Sequence, residues 1–175
     1  MGQTTFSGPV RSLAGFNPVG YANIVNAPHT TATIALTSEE HGGRLISLTG
    51  NHTTVATLPA ISGTDPVDET SPNQASNYGL TFRFMISNTI TELAVLTTSP
   101  DEFFGGLTIT TEAAGASDTF FALAGDDYNK ILITSAVTGW EPGGILELVA
   151  TDLGWLVTGS KLLGIGVPTD PFSSV

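Results

Sequence analysis

The 175-residue chain contains no cysteine, which excludes disulfides, thiol catalysis and cysteine-ligated metals. Charged residues make up only 12% of the chain, about half the usual share, and just five of them are basic. At a net charge of −11 the chain has little with which to contact phosphates, so no binding to nucleic acid or to an anionic membrane is expected. No apolar run reaches the roughly 18 residues of a membrane-spanning helix.

Recognisable catalytic motifs are also missing. The histidines His29, His41 and His52 form no His-x-His or His-Glu-x-x-His pattern, and no Gly-x-Ser-x-Gly elbow occurs. His41 follows Glu40 at the end of an expected helical turn, where a protonated imidazole would meet the negative end of the dipole, so we expect a structural role for it. The sequence therefore predicts no enzyme and no cofactor, and a hydrolase using His41 or His52 is the least favoured hypothesis.

Acidic residues cluster at three places, each of which supplies part of the oxygen set that a calcium ion needs. No EF-hand spacing is present, and carboxylates in such clusters usually lie in water. We therefore predict solvated loops and no metal site at Asp65, Asp68 and Glu69, at Asp101-Glu102, and at Asp126-Asp127.

The chain is rich in threonine (26 residues) and glycine (20 residues), a mixture that favours strands and turns over helices. Short segments of alternating polarity are separated by Gly, Asn, Asp and Pro, which is typical of a sandwich or barrel. We predict an all-β fold, a single β-sandwich or jelly-roll-like β-barrel, with strands near 30–36, 44–48, 53–58, 80–87, 92–97, 107–111, 119–123, 130–136, 145–150 and 155–158.

Two stretches carry this pattern most clearly. In 81–86, Phe82, Phe84 and Ile86 are expected on the face opposite Thr81, Arg83 and Met85. In 144–159, an apolar strand, a Thr-Asp-Leu-Gly turn and a strand opening on Trp155 predict a β-hairpin with the tryptophan in the core.

The chain divides into an extended N-terminal arm (1–28), a β domain (29–160) and a C-terminal tail (161–175) that we expect to dock partly on the domain. A polar, proline-bearing segment at 62–77 is expected to be a long surface loop. Gly and Pro break up the arm, yet apolar side chains recur along it, so we expect the arm to bury them against a partner or its own domain. The candidate contact residues of the arm are Phe6, Pro9, Val10, Leu13 and Phe16.

Trp140 lies in a Thr-Gly-Trp-Glu-Pro-Gly-Gly turn, which makes it a candidate surface contact. An aromatic ring in such a turn can stack on a sugar or a protein partner, or it can cover the end of the core. The sequence leaves both interpretations open.

Several motifs occur together in a fixed order. A threonine-rich strand and an acidic turn closing on glycine occupy 33–43, a strand ends in Leu58-Pro59, Gly-Leu-Thr-Phe-Arg-Phe-Met-Ile fills 79–86, and an apolar strand, an Asp-containing turn and a Trp occupy 147–157. With the Phe-Ser-Gly-Pro-Val run at 6–10 and Gly15-Phe16, this order resembles the small head decoration (cement or head-fibre-like) proteins of tailed bacteriophages. Two features depart from that family: Trp155 lies closer to Asp152 than usual, and 62–77 looks like an insertion.

The resemblance implies a non-enzymatic virion component, a homotrimer on the outer surface of the capsid that binds the major capsid protein and stabilises the shell. In this interpretation the arm residues are the capsid contacts. The alternative is a glycan-binding module of a phage fibre or tail that uses Trp140 and Glu141.

Overall fold

The computed structural model describes residues 24–26, 32–49, 51–62, 77–98, 100–112, 117–134 and 137–175, which contain twelve β-strands and no helix. Seven strands form one sheet in the order β1-β3-β5-β10-β11-β7-β8, and five form the other in the order β12-β9-β6-β4-β2. The predicted all-β class is confirmed. The strands are β1 (Ile24–Asn26), β2 (Ala32–Ala35), β3 (Leu45–Leu48), β4 (Thr53–Thr57), β5 (Thr81–Ile86), β6 (Glu92–Leu96), β7 (Phe103–Thr111), β8 (Ser117–Ala122), β9 (Lys130–Ile133), β10 (Ile145–Thr151), β11 (Gly154–Gly164) and β12 (Phe172–Ser173).

Both sheets contribute to one hydrophobic core, which makes the domain a two-sheet sandwich. Phe82 and Trp155 of the seven-stranded sheet are fully buried, with ring centroids 5.6 Å apart, and Leu93 and Ile131 come from the five-stranded sheet. As predicted, alternate residues of β5 face the core, and Trp155 belongs to it. Burying a side chain of this size contributes on the order of 2–3 kcal/mol.

The predicted hairpin is present as β10 and β11, which pair antiparallel around Asp152 and Leu153. The second strand is longer than expected, because β11 continues to Gly164 and pairs with β7 along its length. The chain then returns as β12, which pairs with β9. The predicted boundary between domain and tail at residue 160 therefore lies inside β11, and residues 161–175 belong to the sandwich.

The first six strands alternate between the two sheets, and we call this part the parallel winding. β1, β3 and β5 lie in the seven-stranded sheet and β2, β4 and β6 in the other, and every neighbouring pair within each set is parallel. Paired residues are 21 apart in the first turn (Ile24 and Leu45) and 38 apart in the next (Leu45 and Arg83), which contains the 63–76 segment. No sequence repeat marks this winding.

The parallel pairs also depart from the predicted jelly-roll-like arrangement, in which strands run antiparallel. Parallel neighbours need a long crossover, and among β1 to β6 each crossover contains a strand of the opposite sheet. The first strand of the parallel winding falls within the predicted arm, where Ile24–Asn26 forms the edge strand of the seven-stranded sheet.

The expected helical turn after β2 is confirmed. The amide of His41 donates to the carbonyl of Thr37 (3.1 Å), and the Thr37 hydroxyl accepts from the amide of Glu40 (3.2 Å), as in an N-terminal cap. Gly43 ends the turn with a φ of +68°, a left-handed conformation that glycine adopts without strain.

Candidate binding surface

The predicted contact residues of the arm, Phe6, Pro9, Val10, Leu13 and Phe16, lie outside the described residues. Trp140 is described, and it forms an isolated bridge with Leu163 while its half-buried ring packs against the core. Its indole nitrogen is buried and has no hydrogen-bond partner among the residues that the structure describes. Trp140 therefore covers the end of the core.

His41 has the expected structural role, but its charge state differs from the expectation. The side chain is buried, and its Nδ1 accepts a hydrogen bond from the amide of Thr37 (3.2 Å), which requires an unprotonated nitrogen. Burial lowers the pKa of His41 below its usual value of 6.5 and is the largest effect; Glu40 raises the pKa, Arg44 lowers it, and the backbone hydrogen bond with Thr37 raises it. His41 is therefore a neutral acceptor that fixes the turn, and it places no cation at the turn's end.

Several carboxylates of the predicted acidic clusters bind backbone amides at chain reversals. Asp101 accepts from the amide of Ile61 (2.7 Å), and Glu102 accepts from the amide of Gly125 (3.1 Å). Within the described ranges, no group of three or more His, Asp or Glu side chains has the geometry of a metal site. The first cluster, with Asp65, Asp68 and Glu69, lies outside those ranges, as does His29.

The described surface includes two shallow depressions that could receive a ligand. One, of about 310 Å³, is lined by Asp101, Glu102 and Asp152. The other, of about 360 Å³, lies near Glu112, Glu141 and neighbouring apolar side chains. Neither depression is lined by a histidine or a serine, so neither contains the serine–histidine pair of a hydrolase.

The outward face of the seven-stranded sheet carries adjacent apolar side chains on three central strands. Val149 of β10 lies opposite Leu156 of β11, and Leu156 lies opposite Phe104 of β7. Their chain neighbours Leu148, Trp155 and Phe103 face the core, so strand alternation directs these three side chains outward. We call Val149, Leu156 and Phe104 the outer row.

The outer row continues to edge strand β8. Phe121 pairs with Gly106 of β7, and it is 65% exposed because Gly106 offers no side chain to cover it. Leu123, which follows the buried Ala122, is 62% exposed. Continuing the antiparallel register of β7 and β8 by one residue places Leu123 opposite Phe104. The exposed side chains of Phe121 and Leu123 therefore extend the outer row to the sheet edge.

The sequence interpretation missed this surface, although the signal was present. Phe103-Phe104 and Phe120-Phe121 are consecutive aromatic pairs within predicted or observed strands. Successive side chains of a strand point to opposite faces, so one member of each pair must leave the core. The apolar face could have been inferred from that spacing alone.

The fold and this surface define a β-sandwich whose outer sheet face carries two exposed and three half-buried apolar side chains, and exposed apolar patches mark interaction sites in proteins. No family model, no curated protein sequence and no solved structure matches this chain. Among the described residues no helix is long and apolar enough to cross a membrane.

Proposed function

We propose that this chain is a structural protein of a bacteriophage particle that binds the major capsid protein on the outer surface of the shell and stabilises it. The supporting observation is the apolar surface formed by the outer row with Phe121 and Leu123 on a firmly packed sandwich. Protein interfaces depend on a few aromatic or aliphatic side chains that become buried on binding, and this surface supplies them. The order of sequence motifs points to the same class of protein.

The chain's charge is compatible with this role. At −11 it does not favour the phosphates of packaged DNA, and like charges keep separate particles apart in solution. The proposal includes a homotrimer, because three linked copies would multiply modest contacts into firm attachment. The contribution of the arm residues Phe6, Pro9, Val10, Leu13 and Phe16 stays a prediction.

A glycan-binding module of a fibre or tail is the alternative that the sequence left open. A lectin site generally needs an exposed aromatic face beside polar groups. Trp140 is half-buried against the core, so a sugar would reach only part of its ring. We therefore favour the capsid as the partner.

Counting copies in purified particles tests this proposal. Capsid sites repeat by symmetry, so quantitative mass spectrometry should find copies on the order of hundreds per particle. Added protein should also bind particles that lack it and raise the temperature at which they release DNA. A handful of copies per particle would indicate a tail or fibre component and would contradict the proposal.

A further inference from the structure

We propose that Phe121 and Leu123 anchor this protein to its partner, and that they fit an apolar recess bordered by lysine or arginine side chains. The inference rests on the proposed function, because it names the part of the chain that meets the shell and the chemistry of the shell surface that receives it. We call these two side chains the anchor pair.

The backbone that carries the anchor pair is firmly held. Asp126 Oδ2 accepts from the amide of Leu123 (3.0 Å), and the amide of Asp126 donates to the carbonyl of Leu123 (3.2 Å). The Gly125 amide binds Glu102 (3.1 Å), which ties the turn to the start of β7. The backbone of Phe121 is held by the pairing of β8 with β7. A backbone held in place before binding loses little entropy when a partner binds, so this geometry suits an anchor.

The surroundings of the anchor pair are acidic. Asp126 and Asp127 are exposed in the turn that follows Leu123, and Glu102 approaches the same turn. The outer face of the same sheet carries Lys161, opposite Thr108, and the ion pair of Arg83 with Glu147, so four carboxylates stand against two cationic groups. The rim of the anchor pair is therefore net negative.

The negative charge around the anchor pair favours a cationic partner surface over a second copy of this chain. A second copy of the chain would bring one acidic rim against another, which opposes self-association through this face. A protein surface with cationic side chains around an apolar recess would bury the anchor pair and pair with the carboxylates. Because arginine and aromatic residues are frequent at the centres of interfaces, such a recess is an ordinary protein feature.

The test measures binding of the full-length protein to particles that lack it, by co-sedimentation over a range of concentrations. We expect the double variant Phe121→Ser/Leu123→Ser to bind at least tenfold more weakly than the wild type. Val167→Ser is the matched control, because Val167 is 73% exposed in a different loop, and it should bind within twofold of the wild type. Circular dichroism and thermal unfolding verify that all variants are folded.

The outcomes separate the two proposals. If the wild type does not bind, the proposed function fails, and this inference fails with it. If the wild type binds and the double variant binds equally well, the proposed function stands and only the anchor pair is refuted. If the double variant is unfolded, Phe121→Ser alone, at a position where the ring is mostly in solvent, repeats the test with the same expectation.

The chemistry of the partner is tested by charge. Asp126→Asn/Asp127→Asn keeps the acceptor for the Leu123 amide and suits the left-handed backbone of Asp127 (φ +59°), while it removes two charges. We expect weaker binding and a smaller salt dependence. Unchanged or tighter binding would overturn the cationic recess. In analytical ultracentrifugation, an assembly that dissociates on Phe121→Ser/Leu123→Ser would show that the occupant is a second copy, and this would overturn the inference.

Discussion

At the scale of single residues, polar side chains complete the backbone hydrogen bonding where strands lose their register. The pairing of β10 with β11 shifts between Ile145 and Leu148, and the hydroxyl of Ser160 lies at this irregularity. It accepts from the amide of Glu147 (2.9 Å) and can donate to the carbonyl of Thr158 (3.1 Å). Ser160 is buried, so water cannot easily replace it in these contacts.

Two serine-to-alanine substitutions separate a partnered hydroxyl from an unpartnered one. Ser160→Ala leaves the Glu147 amide without its acceptor and should lower the free energy of unfolding by about 1–3 kcal/mol. The Ser173 hydroxyl is buried and has no partner among the described residues, so Ser173→Ala should be neutral or stabilising. Urea unfolding monitored by tryptophan fluorescence measures both. Equal losses would contradict the role given to Ser160.

At the scale of elements, the parallel seam between β7 and β11 depends on a glycine. Gly105 lies within β7 with a φ of +97°, and a β-carbon there would overlap the carbonyl oxygen of Val157. The seam shifts register just beyond this point, between Val157 and Ser160. The close approach of the two backbones therefore requires residue 105 to have no side chain.

Gly105→Ala and Gly125→Ala form a matched pair. Both glycines have positive φ angles, +97° and +91°, so alanine introduces similar backbone strain at each. A β-carbon on Gly125 would meet no heavy atom within 4 Å, whereas on Gly105 it would meet the β11 backbone. We expect Gly105→Ala to cost about 1–3 kcal/mol more in thermal unfolding than Gly125→Ala. Similar melting temperatures for both variants would show that the seam tolerates a side chain.

Strand positions were predictable here because alternation records which residues face the core. Phe82 and Phe84 identify β5 in this way, and the Thr-Asp-Leu-Gly turn identifies the β10–β11 hairpin. Strand partners were not predictable, because alternation gives the face of a strand but not its neighbour. The parallel winding therefore left no trace in the sequence. β11 extends beyond its predicted end at Thr158, because Gly159 and Ser160, which are residue types common in turns, form part of the strand.

At the scale of the whole molecule, the 63–76 segment leaves and rejoins the parallel winding at one place, where Ser62 and Asn77 are hydrogen-bonded to each other. We call this pair the closed point. The amide of Ser62 donates to Asn77 Oδ1 (2.9 Å), and the amide of Asn77 donates to the carbonyl of Ser62 (2.9 Å). The Asn77 side-chain amide also binds the carbonyl of Ala60 (2.9 Å). These hydrogen bonds join the described residues on either side of the segment to each other.

Replacing 63–76 with a four-residue glycine-serine link should therefore leave the sandwich intact. The entropy cost of closing a loop depends only weakly on the length of the loop, so the shorter link should change the free energy of unfolding by about 1 kcal/mol or less. Asn77→Ala is the contrasting variant, since it removes two hydrogen bonds of the closed point and should cost about 1–2 kcal/mol. A replacement that unfolds the protein, measured by urea titration, would show that the segment is needed for folding.

The closed point also makes this position suitable for the insertion of a foreign peptide. A foreign epitope spliced between Ser62 and Asn77 would enter and leave through the same pair of hydrogen bonds, so its own sequence would place no demand on either sheet. Evolution has the same freedom, since insertions and deletions at such a position spare the packed interior. Lineages of this protein should accordingly differ most in length at this one place.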